Sequence, residues 1–249
     1  MQIEGKNQVE AALGGGASGS VTIEKILIQR DVNNPRLVDA IKKSRIQYQF
    51  VDRAAMDRLS KSNNHQGFIA FVTDFRYHEI DEVVTAALGK SNQPLLLILD
   101  GIEDPHNLGN IIRTAECMGV DGIIIPKNRA ATVGDTAVRV SAGAAAHVKI
   151  CKVTNINQEI ERLKQKNFWI YAVEVGGEQI SRANLTGAVV LVMGGENTGV
   201  HNLTRKLCDG IVSISMFGKT NSLNVNSAAA IALYEVNRQR GSATKKTPL

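Results

Sequence analysis

From Pro94 onward the chain repeats one pattern, a short continuous apolar run followed by a segment with helical spacing. Leu95-Leu96-Leu97-Ile98-Leu99 is the first such run. A run with no polar face fits a strand covered on both sides, the usual condition of a parallel sheet. Gly122–Ile125, Val148–Val153, Phe168–Val175, Val189–Met193 and Ile211–Met216 repeat it. Between them, Leu108–Met118, Thr132–Ala146, Ile156–Lys166 and Ser222–Arg240 read as helices. Alternation of this kind predicts an α/β domain over residues 94–241, with helices on both faces of a parallel sheet. Ligands of such sheets sit beyond the carboxyl ends of the strands. The loops that follow the apolar runs are therefore where chemistry is to be sought.

Residues 1–76 read as a separate, smaller α/β unit. A helical start at Lys6–Leu13 precedes a half-buried strand at Ile23–Ile28. Arg36–Arg45 places Leu37, Val38 and Ile41 at helical spacing, with Lys42 and Lys43 turned outward. Strands at Tyr48–Val51 and Gly67–Val72 flank a helix at Ala54–Leu59. Residues 77–93 are more polar, contain a short helical piece, and read as a linker. The tail at 242–249 is short and polar, and disorder is expected there. Gly14, Gly16 and Gly19 match a GxGxxG pattern. That fingerprint works only between a strand and a helix, where a pyrophosphate meets a helix N-terminus. Here the order is reversed, so a Gly/Ser loop is the better reading and a nicotinamide enzyme is set aside.

Composition excludes more than it selects. No stretch approaches the roughly 18 apolar residues that span a bilayer, and the first residues lack the apolar core of a secretory signal. A cytoplasmic protein is expected. Cys117, Cys151 and Cys208 form no CxxC pair, and the histidines have no ligand spacing. Buried reduced thiols and no metal are expected. A net charge of +5 suits a polyanionic partner without establishing one. Aromatic residues are only 4%, which argues against a recognition surface built from stacking rings.

Three segments at the carboxyl ends of expected strands are polar or glycine-rich. The first, DPHNLGNIIRTA, spans residues 104–115, the second, MGGENTG, spans 193–199, and the third, SISMFGKTNSLNVNSAAA, spans 213–230. Each alone is weakly specific; the three in this order and spacing are strong. Together they resemble the three motifs of the SpoU (TrmH) family of RNA ribose methyltransferases, in the SPOUT superfamily. The resemblance covers about residues 94–240, and the N-terminal unit with His65-Gln66-Gly67 is similar to the family's substrate-binding extension. The nearest subgroup is the bacterial 23S ribosomal RNA guanosine 2'-O-methyltransferases.

The resemblance implies a catalytic domain with a deep trefoil knot, assembled as a homodimer. It implies S-adenosylmethionine as cofactor, held by Gly194, Ile214 and Leu223 with Gly195 and Met216 nearby. It implies catalytic roles for Asn107, Arg113, Glu196, Ser222 and Asn224, and RNA, ribosomal before transfer, as substrate. A guanidinium is a poor base at neutral pH. Arg113 is therefore better cast as binding a phosphate, orienting the hydroxyl and stabilising the developing alkoxide. Asn107, Ser222 and Asn224 would hold loops or ribose, and Glu196 would orient Arg113 or an Asn.

Plainer readings stand beside these. Asn107 is placed as an ordinary helix N-cap, Ser222 as another, and Arg113 can pair with Glu116 on a solvated face. Arg36, Lys42, Lys43 and Arg45 are candidates for phosphate contact or simply a solvated face. Asn197, Ser215 and Asn226 depart from the family's Gly, Pro and Ser, and the Asn226 change puts the hydrogen bonding of the third motif in doubt. The competing functions are the same reaction on tRNA, or a noncatalytic RNA-binding assembly factor.

Overall fold

The computed structural model describes residues 1–14, 22–62, 64–196 and 198–241. Gly16 and Gly19 of the glycine pattern, the departure at Asn197 and the tail at 242–249 lie outside them. The N-terminal unit runs β1 (Gln2–Glu4), α1 (Lys6–Gly14), β2 (Ile23–Gln29), α2 (Pro35–Lys43), β3 (Gln47–Val51), α3 (Arg53–Leu59) and β4 (Phe68–Val72). Its sheet has the order β1-β4-β2-β3, with only β2 and β3 parallel. α2 starts where its sequence dictates: Asn34 caps it by accepting from the Leu37 amide, and Pro35 occupies the first turn. β1 has no counterpart among the expected strands, because three residues are too few to show a period.

The second unit runs α4 (Ile80–Lys90), β5 (Leu95–Asp100), α5 (Pro105–Cys117), β6 (Gly122–Pro126), α6 (Asp135–Val140), β7 (Ile150–Val153) and α7 (Ile156–Gln165). It continues with β8 (Trp169–Gln179), β9 (Val189–Gly194), α8 (Asn202–Leu207), β10 (Gly210–Ser213) and α9 (Val225–Gln239). All six strands are parallel, in the order β10-β8-β9-β5-β6-β7. β5 is buried along its whole length and β9 at every position but the last, as their unbroken apolar runs require. Each such Leu, Ile or Val contributes about 1.5–3 kcal/mol of burial. The chain builds outward from β5 through β6 to β7, then crosses to the other side for β8 and β9. The winding reverses between β5 and β9, and their carboxyl ends open the crevice where such sheets bind ligands.

Several expectations need correction. The stretch 77–93, read as a linker, contains the eleven-residue α4, whose Val83, Val84 and Ala87 pack with Leu96, Ile98 and Ile124 of the large sheet. Charges at its two ends, Asp81, Glu82 and Lys90, hide that role. The helix expected at Thr132–Ala146 is restricted to α6, because the backbone turns left-handed at Ala142 (φ 52°) and Gly143 (φ 95°) before a short 3-10 turn. β10 ends at Ser213, and residues 214–224 form an irregular loop before α9. The thiols are not uniformly buried, since Cys117 is exposed on the last turn of α5. Burial pushes the thiols of Cys151 and Cys208 up to about 12, so both stay protonated.

The two units meet through β1 and the start of α6. Asp135 accepts from the Gln2 amide at 3.4 Å and from Lys61 Nζ at 2.8 Å. Glu4 accepts from the hydroxyls of Ser60 and Ser62 and from the Lys61 amide. Burial raises both carboxyl pKa values, but these donors outweigh it and both end below the ordinary value. A lowered folded pKa gives stability that is complete above the unfolded value, near 4, and is lost as pH falls through the folded one. Thermal midpoints should therefore fall on acidification below about pH 4. Asp135→Asn should remove about 1–4 °C of that fall, the scale of a partly exposed pair in a chain this size. An identical acid profile for the variant would show that this junction contributes nothing.

Candidate functional site

The loop after β9 is fastened to the end of β5. The Asp100 carbonyl accepts from the Gly195 amide at 3.0 Å. Its carboxylate accepts from the His201 amide and pairs with His201 Nδ1, both at 2.9 Å. Between these points the loop folds tightly on itself, with the Gly199 amide donating to the Gly195 carbonyl at 2.9 Å. A Cβ on Gly194 would lie 2.0 Å from the Gly199 carbonyl carbon and 2.2 Å from the Val200 nitrogen. Only a residue without a side chain permits that approach.

β8 supplies a wall that the motif segments do not announce. It pairs with β10 at Tyr171 and Ala172, then again at Glu178 and Gln179. Residues 173–177 leave that ladder, and Val173, Glu174 and Val175 line the crevice. Glu174 Oε1 accepts from the Val200 amide at 2.8 Å, and its other oxygen lies 3.7 Å from Arg205 Nη1. Gly199, at φ +63°, admits this carboxylate, since a Cβ there would meet Oε1 at 2.6 Å. Neither Glu174 nor Arg205 stands in the three motif segments. The one available signal is a single charged residue, Glu174, in the otherwise uncharged run Phe168–Val175.

The third loop, residues 214–224, closes the crevice. Asn224 Nδ2 donates to Glu196 Oε1 at 2.6 Å, tying the second and third motifs, while Asn224 Oδ1 caps α9 through the Asn226 amide at 3.0 Å. The result is a cavity of about 310 Å³. Gly194, Gly195, Ile214, Met216 and Leu223 all line it, as do Glu196 and Ser222. Val173, Met193, Val225 and Ala228 complete an apolar wall.

Asn107, Arg113 and Asn224 do not line the cavity. Asn107 is not a cap either; Asp104 fills that place, accepting from the His106 amide, and Asn107 lies buried in the first turn of α5. Its Oδ1 accepts from Asn226 Nδ2 of α9 at 2.7 Å. The departure at Asn226 thus makes a contact that a serine would be too short to copy. Asn226 Oδ1 is buried without a partner, and reversing both amides would leave a nitrogen unmatched instead. Asn107→Ala should cost about 1–3 kcal/mol, because the Asn226 amide then has no partner at either end. A urea midpoint equal to that of the wild type would show that this hydrogen bond carries no stability. Ser222 is no cap, since Asn224 takes that position. Arg113 is exposed and makes no hydrogen bond or ion pair, to Glu116 or any other of the described residues.

Solved structures share this architecture. The chain aligns over 98% of its length with 91% of the SpoU methyltransferase AviRb of Streptomyces viridochromogenes, crystallised with AdoMet, at a TM-score of 0.81 and 23% identity. It aligns over 97% with 89% of an RNA 2'-O ribose methyltransferase, at 0.77 and 25%. The fold is that of these solved methyltransferases. The SpoU rRNA methylase family matches residues 94–234, and the RNA 2'-O ribose methyltransferase substrate-binding family matches residues 2–78. The chain belongs to the SpoU methylase family. Relatives named as TrmH-family tRNA/rRNA methyltransferases include one from Bacillus subtilis, 38% identical over 82% of each chain. Another, from Staphylococcus saprophyticus, is 37% identical over 96% of this chain and 95% of its own. A tRNA/rRNA methyltransferase of Synechocystis is 42% identical over 77% of this chain, which spans only 50% of that longer relative.

Proposed function

We propose that this chain transfers a methyl group from S-adenosylmethionine to a ribose 2'-hydroxyl of RNA, with a guanosine of 23S ribosomal RNA as the substrate. One observation carries the reading: β8 and the loops after β9 and β10 converge on a single glycine-lined cavity, tied to one another and to β5 by Asp100, Glu174 and Asn224. Its volume of about 310 Å³ lies at the small end of ligand pockets. The close approach at Gly194 and Gly199 and the apolar wall from Val173 to Ala228 suit a flat heterocycle held against backbone. Gly194, Gly195, Ile214, Met216 and Leu223 would hold the cofactor.

When bound, S-adenosylmethionine supplies an electrophilic methyl group on a sulfonium. The protein then has to bring the ribose oxygen into line and accommodate the loss of its proton, work done largely by positioning. Glu196, engaged by the Asn224 amide, holds the second and third loops in register. Ser222 presents a hydroxyl at the cavity wall. Asn107 acts from α5 through its hydrogen bond to α9. Arg113 binds an RNA phosphate and stabilises the developing alkoxide.

Arg113 follows Asn107 by six residues, about 9 Å along the helix axis. We assign it to the site of a second subunit in a homodimer. The exposed apolar Ile231 and Tyr234 of α9, which packs on α5, support this face as the surface involved. The family resemblance implies a trefoil knot in this unit, whose last helix, α9, follows the edge strand β10 and packs on α5.

The RNA-binding unit comprises residues 1–76, and the catalytic unit takes in α4 and runs to residue 241. Arg36, Lys42, Lys43 and Arg45 are all exposed, on α2 or just after it, where the chain leads into the edge strand β3. Tyr48 and Phe50 stand on that strand with ring centroids 6.0 Å apart, and Lys42 Nζ lies 6.0 Å from the Phe50 ring. Low aromatic content therefore does not preclude a small stacking surface. Replacing the four basic residues by Gln should weaken RNA binding and flatten its dependence on log salt by about 0.7–0.9 for each phosphate no longer neutralised. An unchanged slope would move the RNA surface elsewhere.

No helix among the described residues is long and apolar enough to cross a membrane, and those residues form no group of three or more potential metal ligands. We place the protein in the cytoplasm with its RNA. Transfer of labelled methyl to unmodified ribosomal RNA and tRNA, followed by nucleoside mapping, tests the function. Label on a 23S guanosine ribose is expected. Label confined to tRNA keeps the chemistry and replaces the substrate. No label, from protein that binds RNA but no cofactor, makes it a noncatalytic binding factor.

A further inference from the structure

We propose that Glu174 and Arg205 form the subsite for the amino-acid end of the cofactor, the guanidinium taking its carboxylate and Glu174 its ammonium. This rests on the cofactor reading above. Among the described residues lining the cavity, the charged ones are Glu174, Glu196 and Arg205. Glu196 is already engaged by Asn224. Arg205 is the one cation of that lining, so among the described residues it alone can pair with a carboxylate there by charge.

The pair is built but loosely closed. Glu174 is held at the wall by the Val200 amide, in a position that only Gly199 leaves open. Its side chain is 16% exposed against 44% for Arg205, so the carboxylate is largely removed from water and gains most from a cation. The separation of 3.7 Å between Arg205 Nη1 and Glu174 Oε2 exceeds a hydrogen bond. Arg205 Nη2 donates to Asn202 Oδ1 at 3.1 Å, which anchors the guanidinium on α8 and leaves other N–H donors free. An α-amino acid carries its ammonium and carboxylate on one carbon and presents both charges side by side. A carboxylate and a guanidinium that face each other without bonding offer the complementary arrangement, and guanidinium binds carboxylates bidentately. The apolar residues Ile214, Met216 and Leu223 are left for the adenine.

Two nucleosides separate this subsite from the rest of the cavity. S-adenosylhomocysteine carries the amino-acid end, and 5'-methylthioadenosine lacks it. Titration calorimetry of the purified full chain should show Arg205→Ala binding S-adenosylhomocysteine about ten- to a hundredfold more weakly, the range for removing a charge-assisted hydrogen bond. Binding of 5'-methylthioadenosine should be unchanged. Glu174→Gln keeps the oxygen that accepts from Val200 and should also weaken only the first ligand; Arg205→Lys should recover part of the affinity. Equal weakening of both ligands would mean that Arg205 merely supports the loop, and undiminished binding of S-adenosylhomocysteine would likewise overturn the subsite. If the wild-type chain binds neither nucleoside, the cofactor reading itself falls, and the subsite with it.

Discussion

Arg113→Ala should lower the rate of methyl transfer by about 10²–10³, the usual effect of removing a donor that stabilises developing negative charge. The same substitution should leave stability within about 0.5 kcal/mol of the wild type. The two expectations separate because Arg113 is exposed and has no partner among the described residues. An arginine that merely braced α5 would show an ion pair, and none joins it to Glu116. Single-turnover rates at saturating cofactor, read beside thermal melts, make the comparison. Wild-type turnover in the variant would remove Arg113 from the mechanism. A second arm tests where it acts: mixing Arg113→Ala protein with a variant that cannot bind cofactor should restore part of the activity if Arg113 serves the other subunit's cavity. No recovery from exchanged subunits would place it in its own chain's site.

Gly194→Ala should reduce affinity for S-adenosylhomocysteine by at least about a hundredfold. A single added methyl group would stand 2.0 Å from the Gly199 carbonyl carbon and 2.2 Å from the Val200 nitrogen. Both neighbours are backbone, so no side-chain rotation relieves the clash. The loop is also pinned, by Asp100 to Gly195 and His201 and by Glu174 to Val200. It must therefore move as a body away from β5, and the cavity wall moves with it. Overpacking costs about 1–3 kcal/mol, which lowers the melting temperature by roughly 2–12 °C in a chain of this size. Gly89→Ala in α4 is the control, since nothing stands within 4 Å of its added Cβ. It should be neutral or stabilising by about 0.5–1 kcal/mol. Full cofactor affinity in Gly194→Ala would show that the loop is not the cofactor cradle.

The large sheet is legible in the sequence because its strands carry no polar face. β5 and β9 are apolar at nearly every position, and a buried parallel strand is the one short element that permits this. Boundaries are less legible where a local backbone feature overrides periodicity. The alanines of 142–146 have high helix propensity, yet α6 stops at Val140 because positive φ at Ala142 and Gly143 redirects the chain toward β7. α4 hides because its charges, Asp81, Glu82 and Lys90, sit at its two ends and merge with the polar residues on either side, leaving a short apolar middle.

Gly194, Gly195, Ile214, Met216 and Leu223 can be named in advance because loops at carboxyl ends of parallel strands are where such sheets bind ligands, and because those loops carry a family's motifs. Glu174 and Arg205 cannot. They reach the cavity only because β8 leaves its ladder between Ala172 and Glu178, and pairing register depends on neighbours far away in the chain. Asn226 shows the same limit. In the sequence it is a departure that weakens the third motif; in three dimensions it meets Asn107, 119 positions away along the chain. Local apolar patterning and backbone preference act over a few residues, so the chain alone determined its class of fold, its parallel sheet and the loops that bear the site. Which side chains meet in those loops is decided by packing between distant segments, and only the tertiary structure holds that information.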